Sequence, residues 1–382
     1  MSSLDLGLTE EQEILRDSVL DFMLRECTRE VPRQVVESET GFSPDLWQKA
    51  SSLGWTGIII PSEFGGLGGT LMDAAVLLEA MGYALFPTPL HSSCILSASI
   101  LLGDGGGQRH EQVLKAIAAG QSILTLAYTE EDFGWGPQNV HMEATSKGSG
   151  YVLNGVKQFI PDAQVADKII CIARTAESTG SPEEGLTLFL VDRNASGVSL
   201  KTMSGFVGER LSEVTMNSVE VSEDSVIGAV GKGWEILVPA LDKATSVLCA
   251  YMVGAGQKVM DFTLDYTRTR VQFGQPIAAF QRVQDHCVAM QTELDGARWT
   301  TYEALWKLDA GRPDAAKSVS VAKIATTDGI YDVCSHSHEV HAGMGIDKEL
   351  GLYLFTAKTR SFYHYLGNST YHHKRLASLL EL

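Results

Sequence analysis

The chain changes texture twice, and no other feature limits its possible folds as much. From about residue 121 to 229 it runs through short β-rich segments: SILTLAY, YVLNGVKQFI, KIICIA, LTLFLVD and NSVEVS. Gly, Pro, Asn and Asp separate them, the pattern of a compact β domain of barrel or sandwich type. On both sides the apolar residues recur at helical intervals instead. Near the start, Thr9 and Gln12 have capping-box spacing, and Leu15, Val19, Phe22 and Met23 follow on one helical face. PSEFGGLGGT and GDGGGQ interrupt this first stretch as loops. The second is no phosphate loop, since no strand precedes it and no Lys-Ser/Thr follows. After GAVGKGWEIL, long amphipathic segments at roughly 233–268, 278–310 and 313–343, and a last one beyond 350, read as an antiparallel bundle. The expected fold is therefore multi-domain α+β: an N-terminal all-α domain (1–120), a middle β barrel or sandwich (121–229) and a C-terminal four-helix bundle (230–382).

With 382 residues the chain is long enough for a large core divided among two or three domains. Its net charge of −17 argues against nucleic acid or an anionic membrane as partner. It does not exclude a polyanionic small molecule held by local basic groups. The six cysteines are scattered without a CxxC pair and read as buried free thiols. The first residues show no basic and apolar leader. No apolar run approaches the roughly 20 residues of a membrane span. A cytoplasmic setting is the expectation, and Asn368-Ser-Thr is then a turn rather than a glycosylation site.

One string is specific. RTRVQFGQPIAAFQRVQ, Arg268 to Gln284, closely resembles the signature R-x-Q-F-G-x-P-I-x-x-F-Q-x-x-Q of the acyl-CoA dehydrogenase family. LTEEQ, PSEFGGLGG, LNGVKQFI, GKGWEI and EVHAGMGI extend the resemblance over essentially the whole chain. The resemblance implies a flavoprotein, usually a tetramer, with FAD placed between the β domain and the C-terminal bundle and shared between subunits. In family members a glutamate removes the α proton of an acyl-CoA thioester, the β hydride passes to the flavin, and an electron-transfer flavoprotein collects the electrons. A desolvated carboxylate suits the proton step, and hydrogen bonds at the thioester oxygen stabilise the developing enolate charge.

Set against the family pattern, one half of the cofactor site is present and the other is altered. The resemblance assigns Arg270, Gln272, Phe273, Phe280 and Gln281 to the grip on a neighbour's FAD. A guanidinium suits a pyrophosphate because it stays charged and donates bidentate bonds. The family's Q-x-x-G-G-x-G reads Glu339-Val-His-Ala342-Gly343-Met-Gly345 here. Gly343 still allows close backbone approach, while Glu339 is an anion where a neutral amide is expected. In YTEEDFGWGPQ, Thr129 and Glu130 match the ring-holding element T-E-x-x-x-G-S-D, but Trp135 replaces its Ser. Tyr128 and Trp135 are either flavin neighbours or core aromatics. The family's W/F-I-T triplet is Phe159-Ile160-Pro161. Phe159 can still stack on a ring, but Pro161 offers neither hydroxyl nor N–H to flavin N5.

The acyl-CoA site is altered in the same way. D-x-E-R, the alternative place for the base, reads Asp242-Lys243-Ala244-Thr245, with Ala244 for the glutamate and Thr245 for the CoA arginine. The usual base lies in Y-E-G-T, here Tyr365-Leu366-Gly367-Asn368. Anchoring on the glycine puts Leu366 at the glutamate position; counting from Ala357-Lys358 puts His364 there. Neither is a carboxylate, and the catalytic base is unassigned. His364, His372 and His373 read as the surface of an amphipathic terminal helix. No carboxylate or thiol falls at ligand spacing beside them, and no metal is expected. Asn368 remains a candidate cofactor contact.

The resemblance thus implies FAD as cofactor, an acyl-CoA as substrate and electron-transfer flavoprotein as redox partner. The clustered losses are those a heteromeric enzyme tolerates in its supporting subunit, with the base on a paralogous partner and a bulky acyl-CoA as substrate. The alternatives are a self-sufficient, homotetrameric dehydrogenase with a relocated base (His364, Glu131 or Asp132), altered chemistry such as desulfination or decarboxylation, or a non-enzymatic scaffold.

Overall fold

A computed structural model describes residues 6–178, 180–205 and 210–382. Its residues group into two compact units: Glu37–Thr70 with Pro87–Ala244, and the chain up to Val36 with Leu71–Phe86 and Thr245–Leu382.

The first unit is built on a mixed eight-stranded sheet. Its strands are β1 (Leu124–Ala127), β2 (Glu143–Lys147), β3 (Gly150–Pro161), β4 (Lys168–Arg174), β5 (Leu186–Asp192), β6 (Val198–Ser204), β7 (Arg210–Ser222) and β8 (Val226–Ile227). Their order is β6-β7-β3-β2-β4-β5-β8, with β1 parallel to β4. β4 and β5 are apolar along almost their whole length, as strands covered on both faces are. Leu153, Ile169, Cys171, Phe189, Val214 and Val219 form the centre of its core. Short helices and the π-helix Leu90–Ser97 pack in the same unit, tied to β1 by Leu124 N donating to Ser93 Oγ at 3.0 Å. The register of β3 against β7 slips between Lys157 and Ile160. A bulge of this kind bends a strand and re-aims a side chain, and the residue re-aimed here is Phe159.

The second unit is helical: α1 (Glu10–Glu26), α2 (Leu71–Ala84), α3 (Gly233–Thr269, belonging to it from Thr245), α4 (Gln281–Asp309), α5 (Ala315–His341), α6 (Leu352–His364) and α7 (Ser369–Leu379). The capping box at Thr9 is formed reciprocally with Gln12. α2 and α3 touch through glycines: a Cβ on Gly82 would lie 1.9 Å from Tyr251 O, and one on Gly254 1.8 Å from Glu79 O. Only glycine lets two helix backbones approach this closely. The part-buried Glu79 carboxylate then accepts from Tyr302 Oη at 2.8 Å and pairs with Arg298 at 3.5 Å. α3 also corrects the membrane expectation, being long and apolar enough to cross one; 72% of its most apolar window is buried, as in a core helix. The single expected terminal helix is two, broken where Leu366 and Gly367 both take positive φ. All six cysteines are free, and five are buried.

Candidate functional site

In the sheet unit the residues at the ring-holding positions are committed to one another. Lys157 is fully buried, and its Nζ meets Glu130 Oε1 at 2.6 Å and Tyr128 O at 3.1 Å. Glu130 also accepts from the backbone N–H groups of His141 and Met142 at 3.0–3.1 Å. Both charges are therefore satisfied, the condition under which a buried pair is tolerated. Glu130, met as a motif residue, is a structural brace for the loop from 130 to 142. Thr129 is buried, donates its hydroxyl to Gln158 O, and accepts from Gln158 N at 2.8 Å. Its side chain holds the bulge of β3 in place.

Phe159 stands out from that bulge at φ +56°, 37% exposed, with Phe133 beside it at φ +55° and a centroid distance of 5.2 Å. Bulky residues adopt left-handed φ rarely and at a cost of about 1–3 kcal/mol, most often at functional sites. Tyr128 is buried against Trp135, rings 5.1 Å apart and stacked, and donates its hydroxyl to Gly136 O at 3.1 Å. Trp234 lies 6.3 Å from the same ring. Pro161 accepts at its carbonyl from Thr125 Oγ1 at 2.7 Å. Asp162, at φ +59°, accepts from Ser92 Oγ at 2.5 Å. Ala244 is fully buried, and His91 Nε2 lies 2.9 Å from its carbonyl oxygen. That Ser92 and His91 of the π-helix reach these two positions is not legible in the sequence, because a helical pattern carries no tertiary register. Among the alternative bases, Glu131 and Asp132 are exposed. Burial tends to raise the Asp132 pKa, but hydrogen bonds from Asn139, Gly134 N and His141 outweigh it and hold it low. A carboxylate stabilised as the anion is a weak base.

In the helical unit the gripping residues form an outward-facing hairpin between α3 and α4. β9 (Val271–Gln272) and β10 (Gln275–Pro276) are joined through Phe273 and Gly274, both at positive φ, the two-residue turn that matches strand twist. Arg270, Gln272 and Gln281 are exposed, and Phe273 is 92% exposed with its ring edge-on to Phe280 at 6.0 Å. The Arg270 guanidinium makes no hydrogen bond or ion pair among the described residues. An exposed cation and aromatic held on a rigid turn are suited to a ligand or a neighbouring chain. After α5, Ala342 turns at φ +49° and Gly343 is exposed, with open space where a Cβ would be. Glu339 turns to His286, its Oε2 3.3 Å from Nε2.

Leu366 is 3% exposed at φ +60°, so an apolar side chain fills the first place for the base. His364 is exposed, and partial burial with the charges of Lys323 and Arg360 holds its pKa low. His372 corrects the surface reading of the terminal histidines. It is 2% exposed, and its Nε2 lies 3.0 Å from Leu366 O while its pKa is pushed down to about 3, chiefly by burial. A neutral imidazole is thus the inner strut of the Leu366 segment. Lys323, fully buried and lowered to about 8 by burial, donates to Phe362 O at 2.6 Å and caps the end of α6. Asn368 caps α7, accepting from Tyr371 N at 2.9 Å.

Three family descriptions cover the chain: acyl-CoA dehydrogenase N-terminal domain over residues 9–121, middle domain over 125–219 and C-terminal domain over 231–380. The chain belongs to the acyl-CoA dehydrogenase family. It is 30% identical to the caffeyl-CoA reductase-Etf complex subunit CarC of Acetobacterium woodii, over 94% of this chain and 96% of that one. The ChsE4-ChsE5 complex from Mycobacterium tuberculosis matches with a TM-score of 0.89 and 25% identity, over 99% of both chains. The FAD complex of PigA matches with a TM-score of 0.91 and 25% identity, over 99% of this chain and 100% of that one. The family, with its three-domain fold, makes this chain an FAD-dependent oxidoreductase acting on acyl-CoA. The residues present fit FAD unevenly: the hairpin offers an unpaired guanidinium and open glycine backbone, whereas Pro161 withholds any donor.

Proposed function

We propose that this chain is the supporting subunit of a heteromeric acyl-CoA dehydrogenase that forms an α,β double bond in a bulky acyl-CoA. One asymmetry carries the reading. The places for the base and for the N5 donor hold Leu366, Ala244 and Pro161, the first two buried, while the grip Arg270-Gln272-Phe273 is displayed outward with the Arg270 guanidinium unspent. A buried aliphatic side chain can neither take a proton nor donate a hydrogen bond. An exposed arginine on a preorganised turn can still complete a neighbour's cofactor site. FAD, when bound, supplies the hydride acceptor. This chain's residues supply binding: Arg270 charge for the pyrophosphate, Phe273 and Phe280 apolar contact, and Gly343 backbone approach. The base and acyl pocket belong to a paralogous subunit, and an electron-transfer flavoprotein takes the electrons. The two relatives described as complexes support this assignment.

The test compares the chain alone with the chain co-purified with a paralogue that carries Y-E-G-T or D-x-E-R. The complex should hold flavin that an acyl-CoA bleaches, and the lone chain should hold little. A stoichiometric flavin band in the lone chain, bleached by an acyl-CoA, would sink the proposal. In the complex, Arg270→Ala should lower FAD retention by about tenfold or more, the loss expected for a charge-assisted bond worth roughly 1.5–3 kcal/mol. Unchanged FAD content would refute the grip assignment.

A further inference from the structure

The anion at Glu339 stands where the family pattern has a neutral amide, and the structure surrounds it with imidazoles. His286 of α4 and His336 of α5 face each other with their Nδ1 atoms 2.9 Å apart. The other nitrogen of His286 lies 3.3 Å from Glu339 Oε2. One ligand-capable atom from each of the three residues falls within 4.8 Å of the others. We propose that His286, His336 and Glu339 form a site for one divalent transition-metal cation of the zinc class, with two imidazoles and one carboxylate as ligands and water completing the shell.

Three observations carry this. First, the spacing is close to what a metal needs. A tetrahedral ion with metal–nitrogen bonds of about 2.0–2.1 Å sets its ligand atoms roughly 3.3 Å apart; with His286 giving one ring nitrogen only, the three ligand atoms lie within 4.8 Å of one another and close on the ion by side-chain rotation. Second, the donors come from two long helices rather than a loop. His336 and Glu339 are three residues apart on α5, on one face, and His286 answers them from α4. Third, His286 is buried, 7% exposed, so its ring is held in place between α4 and α5 rather than free to swing into solvent. A borderline-soft cation held by one nitrogen from each ring and by the carboxylate satisfies the three donors together.

A bound cation also accounts for the anion. It converts a local charge of −1 to +1 a few residues from Gly343, and one turn of α4 beyond Gln281. On the reading of that neighbourhood as a phosphate grip, the metal removes the repulsion that Glu339 would otherwise impose. Only this last consequence rests on the proposed function.

The test uses tag-free full-length chain stripped with chelator, then titrated calorimetrically with ZnCl2 and, for selectivity, MgCl2. One Zn2+ should bind per chain and Mg2+ should not. Co2+ in place of Zn2+ should give visible d–d absorption. His336→Ala and His286→Ala should abolish the specific binding, and Glu339→Gln should weaken it by about 10–100-fold. His336 is only half-buried, so its variant tests the site without risking the core, and circular dichroism verifies folding. Absence of Zn2+ binding, or binding that survives His336→Ala in a folded chain, overturns the proposal. FAD retention, measured separately in the complex by its absorbance, reports on the grip and leaves the metal result independent.

Discussion

His372 provides a quantitative check on how the Leu366 segment is held. Its pKa is about 3 in the folded chain, against an ordinary value of about 6.5 in an unfolded one. Because the folded value is depressed, the unfolded chain binds the proton first as pH falls. The stabilisation is present in full above pH 6.5 and drains away between pH 6.5 and 3. At pH 5 the unfolded chain has gained the proton over about 1.5 pH units, which corresponds to roughly 2 kcal/mol at 1.36 kcal/mol per unit. His286, His338, His341 and His364 are also held low, so a variant must isolate the His372 share. His372→Gln keeps an N–H for the Leu366 carbonyl and does not titrate. Urea unfolding at pH 8 and pH 5, at one chain concentration, gives the difference. Wild type should lose about 2 kcal/mol more than His372→Gln over that interval. Equal losses would mean that His372 is not buried as a neutral strut, and that the segment at the family's base position is held by something else.

Other perturbations address the two units one at a time. Lys157→Met strands the Glu130 carboxylate among backbone donors alone and should cost about 3 kcal/mol, with Glu130→Gln in the same chain recovering part; thermal melts decide, and an unaffected melting temperature would contradict the brace. Gly254→Ala drives a methyl onto the Glu79 carbonyl and should exceed the ~1–3 kcal/mol of ordinary overpacking. Gly296→Ala, with nothing within 4 Å of its Cβ, should instead stabilise α4 by up to about 1 kcal/mol.

The order helix, sheet, helix was legible because period and turn chemistry are local properties. So were the long bundle helices and the Thr9 capping box, whose residues state their own backbone geometry. The family was legible for a different reason: a fixed string such as Arg270 to Gln284 is dense in specific choices. Residue identity alone also established that Leu366, Ala244 and Pro161 lack the groups that proton transfer and N5 hydrogen bonding require. Tertiary structure decided the rest, since burial and pairing depend on residues far apart in sequence. It turned Glu130 from a motif residue into the partner of Lys157, 27 positions away. It moved His372 from the surface to the core and placed His91 against the Ala244 carbonyl. It also brought His286 to His336 and Glu339 across two helices, a constellation with no signature in linear spacing. Which charges are spent within the fold and which, like Arg270, face outward is a property of packing, and only the folded chain specifies it.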